Sequence, residues 1–245
     1  MKNCEVDRCK VGMEIYMVKI LDLNTNEINN LMKFINEERK NKIDRLKYTK
    51  NKTSLIISDI LIRSIISDKL NVKNNKIQIK RTNYGKPYLD NTLNFHFNVS
   101  HSGDYVVCAI DKNVIGIDIE EKKDIDYESI AKNFFCNNEI EFILHGNYDE
   151  RLTKFYRMWT LKESYVKANG KGLSIPLNSF SINIDEGKEI KLIAKNDKEK
   201  YKFKTLSKEL EYEISVCSLG EKITNEVICI EQNELIERFN NLNLK

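Results

Sequence analysis

Two segments of this 245-residue chain carry side chains that can do chemistry together: Ile115-Gly116-Ile117-Asp118-Ile119-Glu120 and, well downstream, Trp159-Thr160-Leu161-Lys162-Glu163-Ser164-Tyr165-Val166-Lys167. In the first, the residues alternate. On a β-strand residues two apart share a face, so Asp118 and Glu120 point one way while Ile117 and Ile119 point into a core. Two carboxylates so placed form a claw for a hard cation, and Gly116 lets a backbone or ligand approach closely. The second segment reads as a helix, where residues four apart are neighbours, so Glu163 and Lys167 share a face with Trp159 one turn earlier. Asp118, Glu120, Glu163, Lys162 and Lys167 can thereby surround one phosphate-bearing ligand. Mg²⁺, which takes a few carboxylates, phosphate oxygens and waters, suits such a set.

Each feature has a plainer reading. An acidic pair on one strand face is most often a solvated edge, and Glu163 with Lys167 could equally be a surface pair worth a few tenths of a kcal/mol. The only tryptophan, a phenylalanine a turn before it and the Gly170-Lys171-Gly172-Leu173 exit make this helix more elaborate than a solvated face requires. Phe97-Asn98-Val99-Ser100-His101-Ser102-Gly103 places hydroxyls and an imidazole in an expected turn before a strand, a cradle for anionic oxygens. A serine beside a histidine is not a catalytic dyad by adjacency, and no Gly-x-Ser-x-Gly elbow supports a serine hydrolase. His96 and His145 lack such context. The basic run Arg39, Lys40, Lys42, Arg45, Lys47, Lys50, Lys52 is a solvated face or, beside a phosphate, a set of clamps.

These side chains must be positioned by ordinary globular elements. The chain is 41% hydrophobic and 31% charged, and its net charge of +3 is a small remainder of 40 basic and 37 acidic residues, so it lacks the basic excess of a dedicated nucleic-acid binder. No apolar run is long enough for a membrane span and the N-terminus lacks a signal-peptide pattern, which points to the cytoplasm. Six cysteines without CxxC or zinc spacing are expected to stay reduced, with Cys108 and Cys217 buried in strands. Strands are expected at 13–20, 77–80, 105–110, 114–120, 180–184, 190–193, 201–205, 212–217 and 227–230. Helices are expected at 27–35, 53–68, 128–135, 139–144, 151–169 and 233–239. Asn83-Tyr84-Gly85-Lys86-Pro87 marks a turn, and Asp111-Lys112-Asn113 has hairpin length between the runs at 105–110 and 114–120. Val107-Cys108-Ala109 and Val216-Cys217-Ser218 hint at an internal duplication. With no Pro-, Gly- or Ser-rich linker, any two halves should share an interface.

In order and spacing, Gly85-Lys86-Pro87, Phe97 to Ser102, Ile115 to Glu120, Ile130 to Phe135 and Trp159 to Leu173 resemble the 4′-phosphopantetheinyl transferases of the surfactin-synthetase-activating type, a likeness running from about Phe34 to Phe180. The resemblance implies an α+β fold of two similar α/β subdomains, related by a pseudo-twofold, each a small antiparallel sheet packed on helices, with the ligand in the cleft between. The halves are expected at 1–112 and 113–245, the metal site in the second. It implies a transferase that moves phosphopantetheine from coenzyme A to a serine of an apo acyl or peptidyl carrier protein of fatty-acid, polyketide or nonribosomal peptide synthesis, releasing adenosine 3′,5′-bisphosphate. By resemblance, Asp118, Glu120 and Glu163 hold Mg²⁺; Glu163, or a water held by it or by Glu139, takes the serine proton; Lys167 assists the departing phosphate. Lys162, Ser100 and His101 contact coenzyme A phosphates, and Lys86 with Pro87 line the adenine pocket. The 3′-phosphate cluster falls on Arg39 and Lys42, whereas a third arginine of the family aligns with Ser54, leaving Lys50 or Lys52 as a replacement. Length favours the broad-specificity monomeric type, with no nucleic-acid or membrane partner.

Two other classes compete. A non-catalytic module could bind coenzyme A or a carrier protein, although it would have no need of Asp118, Glu120, Glu163 and Lys167 together. A Mg²⁺-dependent hydrolase could cleave a pyrophosphate without any carrier protein.

Overall fold

The computed structural model describes residues 12–89, 94–185, 189–194, 199–220 and 222–244; Cys4 and Cys9 lie outside them. The element order is β1 (Glu14–Lys19), α1 (Thr25–Met32), α2 (Glu37–Asp44), α3 (Thr49–Leu70), β2 (Ile79–Arg81), β3 (Pro87–Leu89), β4 (His96–Ser102), β5 (Tyr105–Asp111) and β6 (Ile115–Glu121). There follow α4 (Tyr127–Phe134), α5 (Asn137–Leu144), α6 (Tyr148–Asn169), β7 (Ser181–Asn183), β8 (Lys191–Ile193), β9 (Lys202–Leu206), β10 (Tyr212–Ser218), β11 (Ile228–Ile230) and α7 (Gln232–Leu244). The fold is α+β. One sheet has the order β11-β1-β5-β4 and the other β6-β10-β9, antiparallel except where β11 joins β1 in parallel. Two short ribbons, β2-β3 and β7-β8, stand apart.

The faint repeat of Val-Cys marks a real equivalence. Cys108 lies in the middle strand of β1-β5-β4 and Cys217 in that of β6-β10-β9, and both are wholly buried. Alternation sends each cysteine to the helix side of its sheet, Cys108 into the core shared with Ile56 and Ile60 of α3, Cys217 into the core shared with Leu161 and Tyr165 of α6. Val107 and Val216 point the other way, into a third core in which Ile15, Ile117, Ile119 and Ile214 fill the space between the sheets. The layers therefore run helix, sheet, sheet, helix, and both long helices have 22 residues. This apolar middle layer is what keeps the halves from swinging apart.

Two local expectations are corrected. The runs at 105–110 and 114–120 do not form a hairpin: β5 pairs with β1 and β4, while β6 crosses to the second sheet and pairs with β10. The segment from Phe97 to Ser102 is not a turn but strand β4. Helix α6 starts three residues before the expected Arg151, because Asn147 and Glu150 form a capping box that covers its first free amides. The chain's end crosses the line drawn after residue 112, since β11 pairs with β1 and the buried Leu235 and Phe239 of α7 join the first core.

Gly116 explains how α6 meets β6. A Cβ built there would lie 2.1 Å from the Ser164 carbonyl oxygen and 2.4 Å from the Ala168 nitrogen, so the last turns of the helix rest directly on bare strand backbone. Gly116→Ala must push helix and strand apart, an overpacking that costs about 3 kcal/mol. Thermal unfolding should show a fall of roughly 6–12 °C for a chain of this size. An unchanged midpoint would mean that α6 does not sit on this strand.

Candidate active site

Asp118 and Glu120 follow Gly116 on the same face of β6, the face turned toward α6. Opposite them, Glu163 and Lys167 project from α6. Lys167 Nζ pairs with Asp118 Oδ1 and also donates to Ser100 Oγ at 2.8 Å, while Ser100 Oγ donates to Asp118 Oδ1 at 2.9 Å. Asp118 is only 3% exposed, and its other oxygen, Oδ2, is buried without a hydrogen-bond partner. Burial, reinforced by the charge of Asp118, pushes the Glu120 carboxyl up to about 7. The same two causes, in the same order, raise Glu163 above the ordinary glutamate range, against the opposing pull of Lys167.

Strand β4 runs along β6 without a backbone ladder and is joined to it by side chains. Asn98 Oδ1 accepts from the Ile117 amide at 2.8 Å, and Ser102 Oγ donates to Glu120 Oε2 at 2.8 Å while accepting from the Glu121 amide at 3.1 Å. With Ser100 between them, three alternate residues of one strand hold the other: Asn98 fixes its backbone, and Ser100 and Ser102 aim its carboxylates. Ser100 is thus turned toward Asp118 and Lys167, and not toward a shared phosphate cradle with His101.

His101, next along β4, faces the opposite way. It lines a cavity of about 220 Å³ with Arg39 and Lys42 of α2, Arg81 of β2, Pro87 and apolar residues of α3 and β4. The one acid in its wall, Asp59, is held by Arg63 at 2.9 Å. Arg39 Nε is buried with no partner, and burial holds this guanidinium below its usual range. Burial and then the charges of Arg39 and Arg81 push Lys42 down. Loss of solvent, then Lys167, Arg39 and Lys42, do the same to His101. Cations that depress one another in a cavity are placed for an anion. A larger, open hollow of about 610 Å³ at the start of α6, lined by Asp124, Asp126 and Arg151, contains none of the expected residues.

Arg81 is the residue that sequence reasoning missed. It stands directly across the β2-β3 ribbon from Pro87, so a Gly-Lys-Pro turn flanked by short strands was the available signal. Ser54 and Lys50 do not fill the third basic place: the Ser54 hydroxyl donates to the Lys50 carbonyl, and Lys50 pairs with Asp104 at 2.5 Å.

Glu139 and Lys162 lie elsewhere. Both are fully buried, with Nζ 2.6 Å from Oε1, and Lys162 also donates to the Phe180 carbonyl and lies 4.2 Å from the centre of its ring. Glu139 accepts in addition from the amides of Ile182 and Cys136. Neither is exposed to solvent, and the pair ties α5, α6 and β7 together. Trp159 likewise packs against Phe135 and Phe155.

Hard oxygen donors, mutual repulsion and the orphaned Asp118 Oδ2 fit a divalent cation held by Asp118, Glu120 and Glu163. Among the described residues no three acidic, imidazole or thiol groups are already drawn into a cage, and the Lys167 ammonium occupies Asp118 Oδ1. In cation-free protein the buried Glu120 carboxyl is pushed up to about 7, against an ordinary glutamate value of 4.5 when the chain is unfolded. Between those values the folded state holds more protons, so stability attributable to this group rises as pH falls from 8 to 5. Thermal midpoints of wild type and Glu120→Gln, measured in chelator across that range, should converge toward pH 5 and separate above pH 7, with the variant the more stable there. Parallel profiles would contradict it.

A four-layer α+β protein with a cationic cavity on one side of a strand and crowded carboxylates on the other defines a class: enzymes that act on a phosphate-rich ligand. Family models extend this to sequence, since residues 23–113 match the N-terminal 4′-phosphopantetheinyl transferase model and residues 114–217 the 4′-phosphopantetheinyl transferase superfamily model. The chain is 34% identical over 222 residues to 4′-phosphopantetheinyl transferase Sfp of Bacillus subtilis, covering 91% of this chain and 98% of that one. It is 33% identical to 4′-phosphopantetheinyl transferase gsp of Aneurinibacillus migulanus, over 93% and 95% of the two chains. A solved holo-(acyl-carrier-protein) synthase from Bacillus anthracis in complex with CoA (3′,5′-ADP) superposes on 42% of this chain and 92% of its own, with 19% identity and a TM-score of 0.39. The protein belongs to the 4′-phosphopantetheinyl transferase superfamily and is an enzyme. Among the described residues no helix is long and apolar enough to cross a membrane.

Proposed function

We propose that this enzyme transfers the 4′-phosphopantetheine group of coenzyme A to a serine of an apo acyl or peptidyl carrier protein and releases adenosine 3′,5′-bisphosphate. The observation that carries this reading is the adjacency of the two charged regions: consecutive residues of β4 serve both, His101 in the cationic cavity and Ser100 among the carboxylates. A ligand with a terminal phosphate in the first region would lay its pyrophosphate along Lys167 toward the second.

Arg39, Lys42, Arg81 and His101 bind the nucleotide phosphate through charge-assisted bonds, and Pro87 packs beside it. Asp118, Glu120 and Glu163 hold a magnesium ion, which when bound offsets the negative charge that develops on the pyrophosphate. Glu163, or a water that it holds, accepts the proton of the serine hydroxyl. The serine oxygen then bonds to the phosphorus that carries pantetheine as the bond from that phosphorus to the bridging oxygen breaks. Lys167 stabilises the departing phosphate. One chain supplies every residue named, in accord with a monomer.

The test is intact-mass spectrometry of apo carrier proteins from peptide, polyketide and fatty-acid pathways incubated with the enzyme, coenzyme A and Mg²⁺. Gain of one phosphopantetheine mass is expected. Coenzyme A cleavage without a carrier would point to a hydrolase, and binding without either reaction to a non-catalytic module.

A further inference from the structure

Lys86, expected beside the adenine, does not line the cationic cavity. It leaves the β2-β3 turn, where its own backbone is fixed by bonds to Thr82 at 2.9 and 3.1 Å, and its side chain crosses to the second half. There Nζ donates to the Ala168 carbonyl at 2.9 Å and to the Ile115 carbonyl at 3.2 Å. The first acceptor is one of the last four carbonyls of α6, which the helix itself leaves unsatisfied, at the end where a cation is electrostatically favoured. The second opens β6. One ammonium thus grips the strand that carries Asp118 and Glu120 and the helix that carries Glu163 and Lys167.

The stem is fitted to this path. Gly170, which caps α6 with φ +81°, would bring an added Cβ to 3.1 Å from Lys86 Cδ. Burial lowers the amine to about 8, and both acceptors are backbone carbonyls, so the lysine is held by geometry more than by a counter-charge. Lys86 borders a small hollow of about 150 Å³ beside His96, whereas Pro87 alone of the two reaches the cationic cavity.

We infer that Lys86 is a positioning residue, a clamp that couples the ligand-binding ribbon of the first half to the carboxylate-bearing strand and helix of the second. The inference rests on the transferase reading for its kinetic consequence but not for its structural one. Lys86→Met keeps the apolar stem and removes both bonds. In full-length enzyme it should lower kcat about tenfold while leaving KM for coenzyme A within a factor of three, and it should speed amide hydrogen exchange at residues 166–170. Lys86→Arg should recover part of both. A rise in KM at unchanged kcat, with exchange unaltered, would make Lys86 a ligand contact and overturn the clamp; so would unchanged exchange in a folded Lys86→Met protein. If wild type modified no carrier protein, the transferase reading would fail while the exchange measurement still decided the clamp.

Discussion

Asp118→Ala is expected to reduce phosphopantetheine transfer about a thousandfold, the scale of losing a preorganised electrostatic partner in a water-poor site. Asp118 combines three features: its Oδ2 is buried with no partner, its Oδ1 receives Lys167, and Ser100 fixes its orientation. Stability should change little. The variant also loses the charge that pushes Glu120 and Glu163 upward, and Lys167, 27% exposed and already acting on both glutamates, can turn to them. Intact-mass kinetics with saturating Mg²⁺, alongside a melting curve, would check this. Turnover within tenfold of wild type would remove Asp118 from the cation site.

Arg39→Met should act on the other partner of the reaction. Its Nη2 makes one long bond to the Leu55 carbonyl at 3.4 Å, its Nε is buried with no partner, and Lys42, Arg81 and His101 line the same cavity, so Nε is left to donate to an anion. A charge-assisted bond of this kind contributes roughly 1.5–3 kcal/mol, so KM for coenzyme A should rise about tenfold to a hundredfold, with kcat little changed. Lys42→Met, at the exposed mouth, should move the same parameter less, and Arg39→Met with Arg81→Met should exceed either alone. Because the cavity is read as the seat of the 3′-phosphate, dephospho-coenzyme A should bind wild type and Arg39→Met almost equally. Equal losses for both substrates would place another part of the nucleotide there.

The alternation in Gly116-Ile117-Asp118-Ile119-Glu120 was readable because a strand's two faces are fixed by local geometry, and the α6 stop at Gly170 because a left-handed cap is a local need. Strand β4 was read as a turn because Asn98, Ser100 and Ser102 are residue types that favour turns; here their side chains bond to β6, a contact that lies almost twenty positions away in the chain. The false hairpin had the same origin. A three-residue polar connection permits pairing, but Ile115, Ile117 and Ile119 are wholly buried in the core between the two sheets, which the crossing to β10 supplies. Glu139 and Lys162 carried charge and lay near the motifs, and nothing local distinguishes a buried pair from a site.

The sequence by itself determined which residues could act, on which strand face and helix face they lay, and the family to which they belong, since all three depend on residue type and short-range period. Only the tertiary structure decided which of them meet. Strands β1 and β6 pair with the corresponding middle strands β5 and β10, and each turns one face toward the helix layer of its own half. Against α3, β1 presents Tyr16 and Val18 and closes a core; against α6, β6 presents glycine and two carboxylates and leaves a site. That difference arises where the two sheets bring β4 beside β6, because charged groups become a functional cluster through distance and lost solvent, and both are set by packing between segments remote in the chain.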